Sequence, residues 1–216
     1  MSSPTAGAPP LLNIANVLTV VRLVLVPVFL VALFVDHGRS VEWRLVAFGV
    51  FAVAAFTDRL DGELARRRGL VTEFGTVVDP IADKALIGSA LVGLSVLDLV
   101  PWWVTVVIMG REIAITLLRF AVLRHGIIPA SRGGKAKTLV QSLAIGFYLV
   151  PLPELLVPGL LATDTPVAWL RGTLLAAALV LAVVTGVDYV LQALRLRAAP
   201  PAAAGAPDRP RTEDAA

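Results

Sequence analysis

The hydrophobic pattern along this chain comes in long blocks separated by short polar interruptions. Val17 to Val35 is apolar with a charge only at Arg22, and about 20 such residues cross a bilayer as a helix. A polar patch, Asp36 to Arg44, follows. Leu45 to Thr57 is too short to cross alone, but a helix starting near Val41 and running on through Asp58 is long enough. A third span is expected from about Asp79 to Leu97, and Asp98 and Pro101 mark a turn. The fourth runs from Trp102 to about Leu123, the fifth from about Thr138 to Pro158, and the sixth from about Val167 to Leu194. Pro151 and Pro153 should bend or end the fifth, and HGIIPASRGGKAK reads as the loop before it. The expectation is an all-α integral membrane protein of six transmembrane helices. Residues 11–197 would form the membrane domain, 1–10 a flexible leader, and the Ala/Pro-rich 198–216 a tail with no reason to fold.

Composition agrees. Hydrophobic residues make up 57% of the 216, and only 16% are charged, well below the quarter usual in soluble domains. The absence of cysteine excludes disulfides and thiolate-bound zinc, and His37 and His125 are too far apart in sequence to suggest a zinc site. No Lys or Arg precedes the first apolar run, so a secretory signal peptide is not expected. The net charge of +3 carries no expectation of nucleic-acid binding, because the basic residues flank apolar spans. Fifteen of the 19 Lys and Arg fall in the segments 58–84, 111–137 and 195–211, and the opposite turns hold only Arg39, Arg44 and Arg171. The positive-inside rule then puts both termini and the segment around Asp58 on the cytoplasmic side of a cytoplasmic (inner) membrane, crossed several times.

The stretch AFTDRLDGELARRRGLVTEFGTVVDPIADKAL breaks the apolar pattern with chemistry. Asp58 and Asp61 are three apart and share a helix face, with the small Gly62 and Ala65 beside it and Arg66 just below. Gly75, Asp79 and Asp83 are four apart and form a stripe on the next helix. The link, roughly Arg67 to Thr72, is short enough for the stripes to face each other. Four carboxylates cannot share a small pocket as anions without a counter-charge, and each is costly at membrane depth. Oxygen-only ligands select hard cations, Mg²⁺ or Mn²⁺, and two divalent ions would offset four carboxylates. Paired ions are a recurrent device of phosphoryl chemistry. The plainer alternative, solvated acids paired with nearby arginines, does not explain why all eight positions stand in register.

The pattern Asp-x-x-Asp-Gly-x-x-Ala-Arg, eight residues, then Gly-x-x-x-Asp-x-x-x-Asp resembles without a gap the motif of the CDP-alcohol phosphotransferase family. The resemblance covers about residues 11–195. It implies six membrane helices, a homodimer, and a polar cavity open to the cytoplasm. It also implies roles. Asp58, Asp61, Asp79 and Asp83 would hold the two divalent cations, with Asp83 as ligand or general base. Asp61, Gly62, Ala65, Arg66 and Gly75 would bind the CDP moiety. The acceptor hydroxyl would attack the β-phosphorus of CDP-diacylglycerol, and CMP would leave.

Three further stretches bear on the acceptor. Asn16, Thr19 and Arg22 are spaced by three and share a face of the first span, with Arg22 either functional or snorkelling to the headgroups. Arg111 lies two helical turns from Arg119, and a plain ion pair with Glu112 is its alternative reading. Ser131, Arg132, Lys135 and Lys137 surround Gly133 and Gly134, and could serve as topology markers alone. Together Arg22, Arg111, Arg119, Ser131, Arg132, Lys135 and Lys137 suit a phosphate-bearing acceptor. Asn16, Thr19 and Thr57 are further candidates for the cavity wall. These stretches are similar to those of family members that act on sn-glycerol 3-phosphate. Phosphatidylglycerol and an inositol phosphate are the alternative acceptors. From a different class, a divalent-cation carrier is disfavoured because the acids cluster at one membrane face and no acidic stripe continues through spans five and six.

Overall fold

The structure is a computed structural model and describes residues 14–68, 72–122, 132–152 and 166–198. Among the described residues there are six α-helices and no strand: α1 Ile14–Phe34, α2 Val41–Arg68, α3 Glu73–Val96, α4 Trp102–Val122, α5 Arg132–Leu149 and α6 Pro166–Ala198. Each expected span therefore has a helix. The leader and nearly all of the tail lie outside the described residues.

The third helix starts at Glu73, directly after the link expected at Arg67–Thr72, so Gly75, Asp79 and Asp83 ride on one helix as their spacing predicts. The fifth starts at Arg132, so RGGKAKT is its first turns and not loop. Lysine and alanine are good helix formers, and the paired glycines fall in the first turn, where few intrahelical bonds are yet at stake. The fifth ends at Leu149, just before Pro151, as a residue preceding proline disfavours helix.

Local chemistry explains the turns. Ser40 caps α2, its Oγ accepting from the Trp43 amide at 3.3 Å. The α1–α2 link, Val35–Gly38, is a tight turn in which Asp36, His37 and Gly38 take positive φ, the left-handed region. A Cβ at Gly38 would lie 2.6 Å from Leu97 Cδ1, so that position has two reasons to be glycine.

The helices alternate in direction, and α1 packs against both α2 and α3 while α6 packs against α4 and α5. Contacts of α2 with α5 and α3 with α4 join these groups. The buried core runs through Phe29, Leu33, Phe51, Leu91, Ile108 and Leu149. The outward faces are apolar as well: Val31, Phe56, Trp103, Leu117, Trp169 and Val184 are all exposed, on four of the six helices. A monomer in water does not display an apolar surface on all sides; lipid is the solvent these faces suit. Two stretches, Asn16–Gly38 and Pro166–Arg195, are each long and apolar enough to cross a membrane by length and composition alone.

The contacts of Arg22 with Asp58, Thr19 with Asp79, Ser95 with Thr105 and Arg171 with Phe147 require that one end of the bundle gather the starts of α1, α3 and α5 with the ends of α2, α4 and α6. The charged motifs lie toward that end. At the opposite end two arginines cap α5. Arg44 Nη2 donates to the Tyr148 carbonyl at 2.7 Å, and Arg171 Nε donates to the Phe147 carbonyl at 2.8 Å. They satisfy carbonyls that the last turn of a helix leaves without intrahelical donors, and a cation there also suits the helix dipole.

Candidate active site

The first half of the site is built by α1. Asn16, Thr19 and Arg22 are buried, and Arg22 is 0% exposed. Snorkelling is thus overturned for Arg22. Instead its Nη1 lies 2.5 Å from Asp58 Oδ1 on α2. Thr19 donates its hydroxyl to Asp79 Oδ1 on α3. Asn16 Oδ1 accepts from the Thr72 hydroxyl at 2.9 Å. One polar stripe of the first helix therefore holds a carboxylate of each of the next two helices and the residue leading into α3. Spacing of three predicts the shared face; the structure supplies what it meets.

The second half centres on Asp83, one turn beyond Asp79 on α3. Asp83 and Lys84 line a small cavity of about 30 Å³ together with Ile87, with Met109 and Glu112 of α4, and with Lys137, Thr138 and Gln141 of α5. Glu112 organises the cations around it. Its Oε1 accepts from Arg111 Nη1 at 2.9 Å and also from Lys137 Nζ. Arg111 in turn donates through Nε to the Ala182 carbonyl at 3.0 Å and through Nη2 to the Thr185 hydroxyl at 2.8 Å, both on α6. Gly186 permits this approach, since a Cβ there would lie 3.1 Å from Arg111 Cγ. The ion pair considered as the plain alternative for Arg111 and Glu112 is thus present, and it extends to Lys137.

Other expected site residues are placed less fully. Asp61, Gly62, Ala65 and Arg66 continue α2 beyond Asp58, Gly75 lies in the first turn of α3, Arg119 is near the end of α4, and Arg132 and Lys135 open α5. The side chains of these eight positions lie outside the described residues, as does Ser131 altogether. Thr57 bonds back to the Val53 carbonyl at 2.7 Å, a local helix contact. Beside α2, an apolar groove of about 390 Å³ runs between α2 and α5, lined by Phe48, Phe51, Phe56, Leu143 and Phe147.

The donor set fits a hard divalent cation: carboxylates on two neighbouring helices, with no thiolate or imidazole among them. A carboxylate has about four lone-pair positions, so one held by a single donor keeps capacity for a metal. Among the described residues no three acids close into one cluster, and the Asp61 side chain lies outside them. Sequence reasoning missed three things: the bridging of two cations by Glu112, the hydroxyl of Thr72, and Gln141. Only Gln141 carries a signal in the sequence, its position four residues beyond Lys137 on the same face.

Comparison with known proteins bears directly on this arrangement. A family model described as CDP-alcohol phosphatidyltransferase matches residues 12–192. The chain is 54% identical over 190 residues to a protein of Mycobacterium tuberculosis named "Probable phosphatidylglycerophosphate synthase", covering 88% of this chain and 86% of that one. It is 37% identical over 148 residues to a Bacillus subtilis protein named "CDP-diacylglycerol--glycerol-3-phosphate 3-phosphatidyltransferase", covering 64% of this chain and 77% of that one. A Pseudomonas fluorescens protein of the same name is 38% identical over 151 residues, covering 66% and 74%. Every charged position of the motif falls inside the matched region, and the chain belongs to the CDP-alcohol phosphatidyltransferase family.

Proposed function

We propose that this membrane enzyme transfers a phosphatidyl group from CDP-diacylglycerol to sn-glycerol 3-phosphate, giving phosphatidylglycerol phosphate and CMP. The observation that carries the reading is the juxtaposition of Asp83 with Lys84 and Lys137 in one cavity, beside carboxylates steered by Arg22 and Thr19. A base and fixed cations side by side suit an acceptor that has both a hydroxyl to deprotonate and a phosphate to bind. The printed names of the relatives support the same donor and acceptor.

In this reading Asp83 takes the proton of the acceptor's primary hydroxyl. The hydroxyl oxygen forms a bond to the β-phosphorus of the donor. The bond from that phosphorus to the bridging oxygen breaks, and CMP departs with the bridging oxygen and its electron pair. Lys137, held by Glu112, presents its charge to the acceptor phosphate, Arg119, Arg132 and Lys135 extend that cationic wall, and Ser131 adds a hydroxyl donor. Arg22 orients Asp58, while Arg111 holds the wall against α6. Asp61, Gly62, Ala65, Arg66 and Gly75 receive the CDP moiety, and the apolar groove beside α2 suits an acyl chain of the donor. Asp58, Asp61, Asp79 and Asp83 would hold two Mg²⁺ or Mn²⁺ ions, which supply charge neutralisation for the pyrophosphate and the departing CMP. We place six spans in the membrane, with both termini and the site on the cytoplasmic side by the charge bias, and a homodimer as the working assembly.

The test is an acceptor panel. Purified protein in detergent or nanodiscs, with Mg²⁺ or Mn²⁺ and CDP-diacylglycerol, should release CMP with sn-glycerol 3-phosphate. CMP release with phosphatidylglycerol or inositol phosphate alone would reassign the acceptor. Metal flux into liposomes without nucleotide lipid, and no CMP under any condition, would replace the enzyme by a carrier.

A further inference from the structure

Gln141 has no part in the chemistry described so far. It lies one helical turn beyond Lys137 on α5, and its side chain is buried, the residue being 3% exposed. Its Oε1 has no hydrogen-bond partner among the described residues. It lines the same cavity as Asp83, Lys84 and Lys137. Buried polar atoms are nearly always hydrogen-bonded, so a spare amide oxygen on a residue that lines the cavity is available to a donor carried by a ligand.

The chemistry of that donor can be narrowed. An amide oxygen is only an acceptor, and a phosphate dianion is also only an acceptor, so Oε1 does not read the acceptor's phosphate. A hydroxyl is what it can take. Resting on the function proposed above, the acceptor brings two hydroxyls. The primary one is consumed: its proton goes to Asp83 and its oxygen to phosphorus. The other, on C2, does not react and still needs a partner when it leaves water. An amide suits that task where a carboxylate would not. It accepts a hydrogen bond without taking the proton, and it adds no negative charge beside the incoming phosphate.

We infer that Gln141 is a specificity-determining residue that accepts a hydrogen bond from the C2 hydroxyl of the acceptor, distinguishing glycerol 3-phosphate from phosphorylated alcohols without that group.

The experiment compares sn-glycerol 3-phosphate with propane-1,3-diol monophosphate, which keeps the phosphate and the reactive primary hydroxyl and lacks only the C2 hydroxyl. The unaltered protein should favour glycerol 3-phosphate by about 10–100-fold in kcat/KM, the effect of one buried hydrogen bond left unmade. In Gln141→Met, a near-isosteric change, that preference should shrink to within about threefold, through loss on glycerol 3-phosphate with the diol phosphate little changed. Equal use of both acceptors by the unaltered protein overturns the inference without any variant. So does a Gln141→Met enzyme that loses activity equally on both and keeps its preference, which is the behaviour of a merely structural glutamine. If the unaltered protein releases no CMP with either acceptor, the functional reading itself fails and takes this assignment with it.

Discussion

Arg22 and Arg44 are both buried arginines, on consecutive helices, yet they answer different partners at opposite ends of the bundle. Arg22 meets a carboxylate, Asp58, 2.5 Å away. Arg44 meets a backbone carbonyl, that of Tyr148. The same contrast separates Arg111, engaged with Glu112, from Arg171, engaged with the Phe147 carbonyl. A carbonyl cannot change its charge, so Arg44 and Arg171 act as fixed caps on α5. A carboxylate can gain a proton, bind a cation or exchange partners, so pairing it with arginine holds a reactive group in place without removing its chemistry. The molecule thus sets ionisable pairs where the reaction is proposed and uses Arg44 and Arg171 for architecture. Such a division predicts that substitutions at the two ends fail in different ways.

The largest effect is expected at Asp83. Asp83→Asn removes the base while keeping shape, and CMP release should fall by about 10²–10⁴-fold, the usual worth of general base catalysis. Its melting temperature in detergent should stay close to that of the unaltered protein, because the residue is only partly buried. Turnover and thermal unfolding measured on the same preparation check both halves. Retained turnover would remove Asp83 from the role proposed and leave the polar end without a base.

Glu112 comes next, and it should disturb both activity and stability. One carboxylate oxygen holds two cations from different helices. Glu112→Gln removes the negative charge between Arg111 and Lys137, and weakening the charge-assisted hydrogen bonds of this partly buried set costs about 1.5–3 kcal/mol. Thermal unfolding should report that loss. Lys137 should also lose its fixed position, so KM for glycerol 3-phosphate should rise by more than kcat falls. A variant that melts early but keeps its KM would make Glu112 a staple between helices and nothing more.

These two residues show how unevenly the site could be read from sequence. Asp83 declares itself, since spacing by four puts Gly75, Asp79 and Asp83 on one stripe whatever the rest of the fold does. Asn16, Thr19 and Arg22 declare a shared face by the same rule. Periodicity within a helix is a local property, and so were the six helices, each a long apolar block. What a helix face meets depends on how neighbouring helices are rotated and staggered, which no spacing along one helix encodes. Hence the ties of Arg22 to Asp58, Thr19 to Asp79 and Lys137 to Glu112 appear only in three dimensions. The early start of α5 was hidden for another reason: two glycines and three cations in RGGKAKT resemble a loop in composition, though most of these residues are compatible with a helical first turn.

Arg44→Met tests the other end. The change keeps much of the apolar length of the side chain and removes the donor to the Tyr148 carbonyl. The expected cost is about 1.5–3 kcal/mol, the range for a hydrogen bond made by a charged group, with CMP release per folded molecule unchanged. Thermal unfolding beside active-fraction titration separates the two. A fall in turnover per folded molecule would mean that the capped end of α5 sets the position of Lys137 at its start, and the two ends would no longer be independent.

The smallest effect should come from Ser95, toward the capped end. Its hydroxyl shares a 2.7 Å hydrogen bond with Thr105 across the α3–α4 contact, and both residues are buried. Side-chain hydrogen bonds between membrane helices contribute about 0.6 kcal/mol on average, because the separated helices also find partners in lipid. Here the cost is limited further: Thr105 lies 3.4 Å from the Leu91 carbonyl and can turn its hydroxyl there when Ser95 is lost. Ser95→Ala should therefore shift stability by less than about 1 kcal/mol and leave turnover alone. This mild substitution probes the contrast sensitively. Ser95 rides on the same helix as Asp79 and Asp83, some three to four turns away. If so small a change lowered CMP release several-fold, α3 would be transmitting its packing at one end into the position of its carboxylates at the other. The arginine-capped end would then help to set the chemistry.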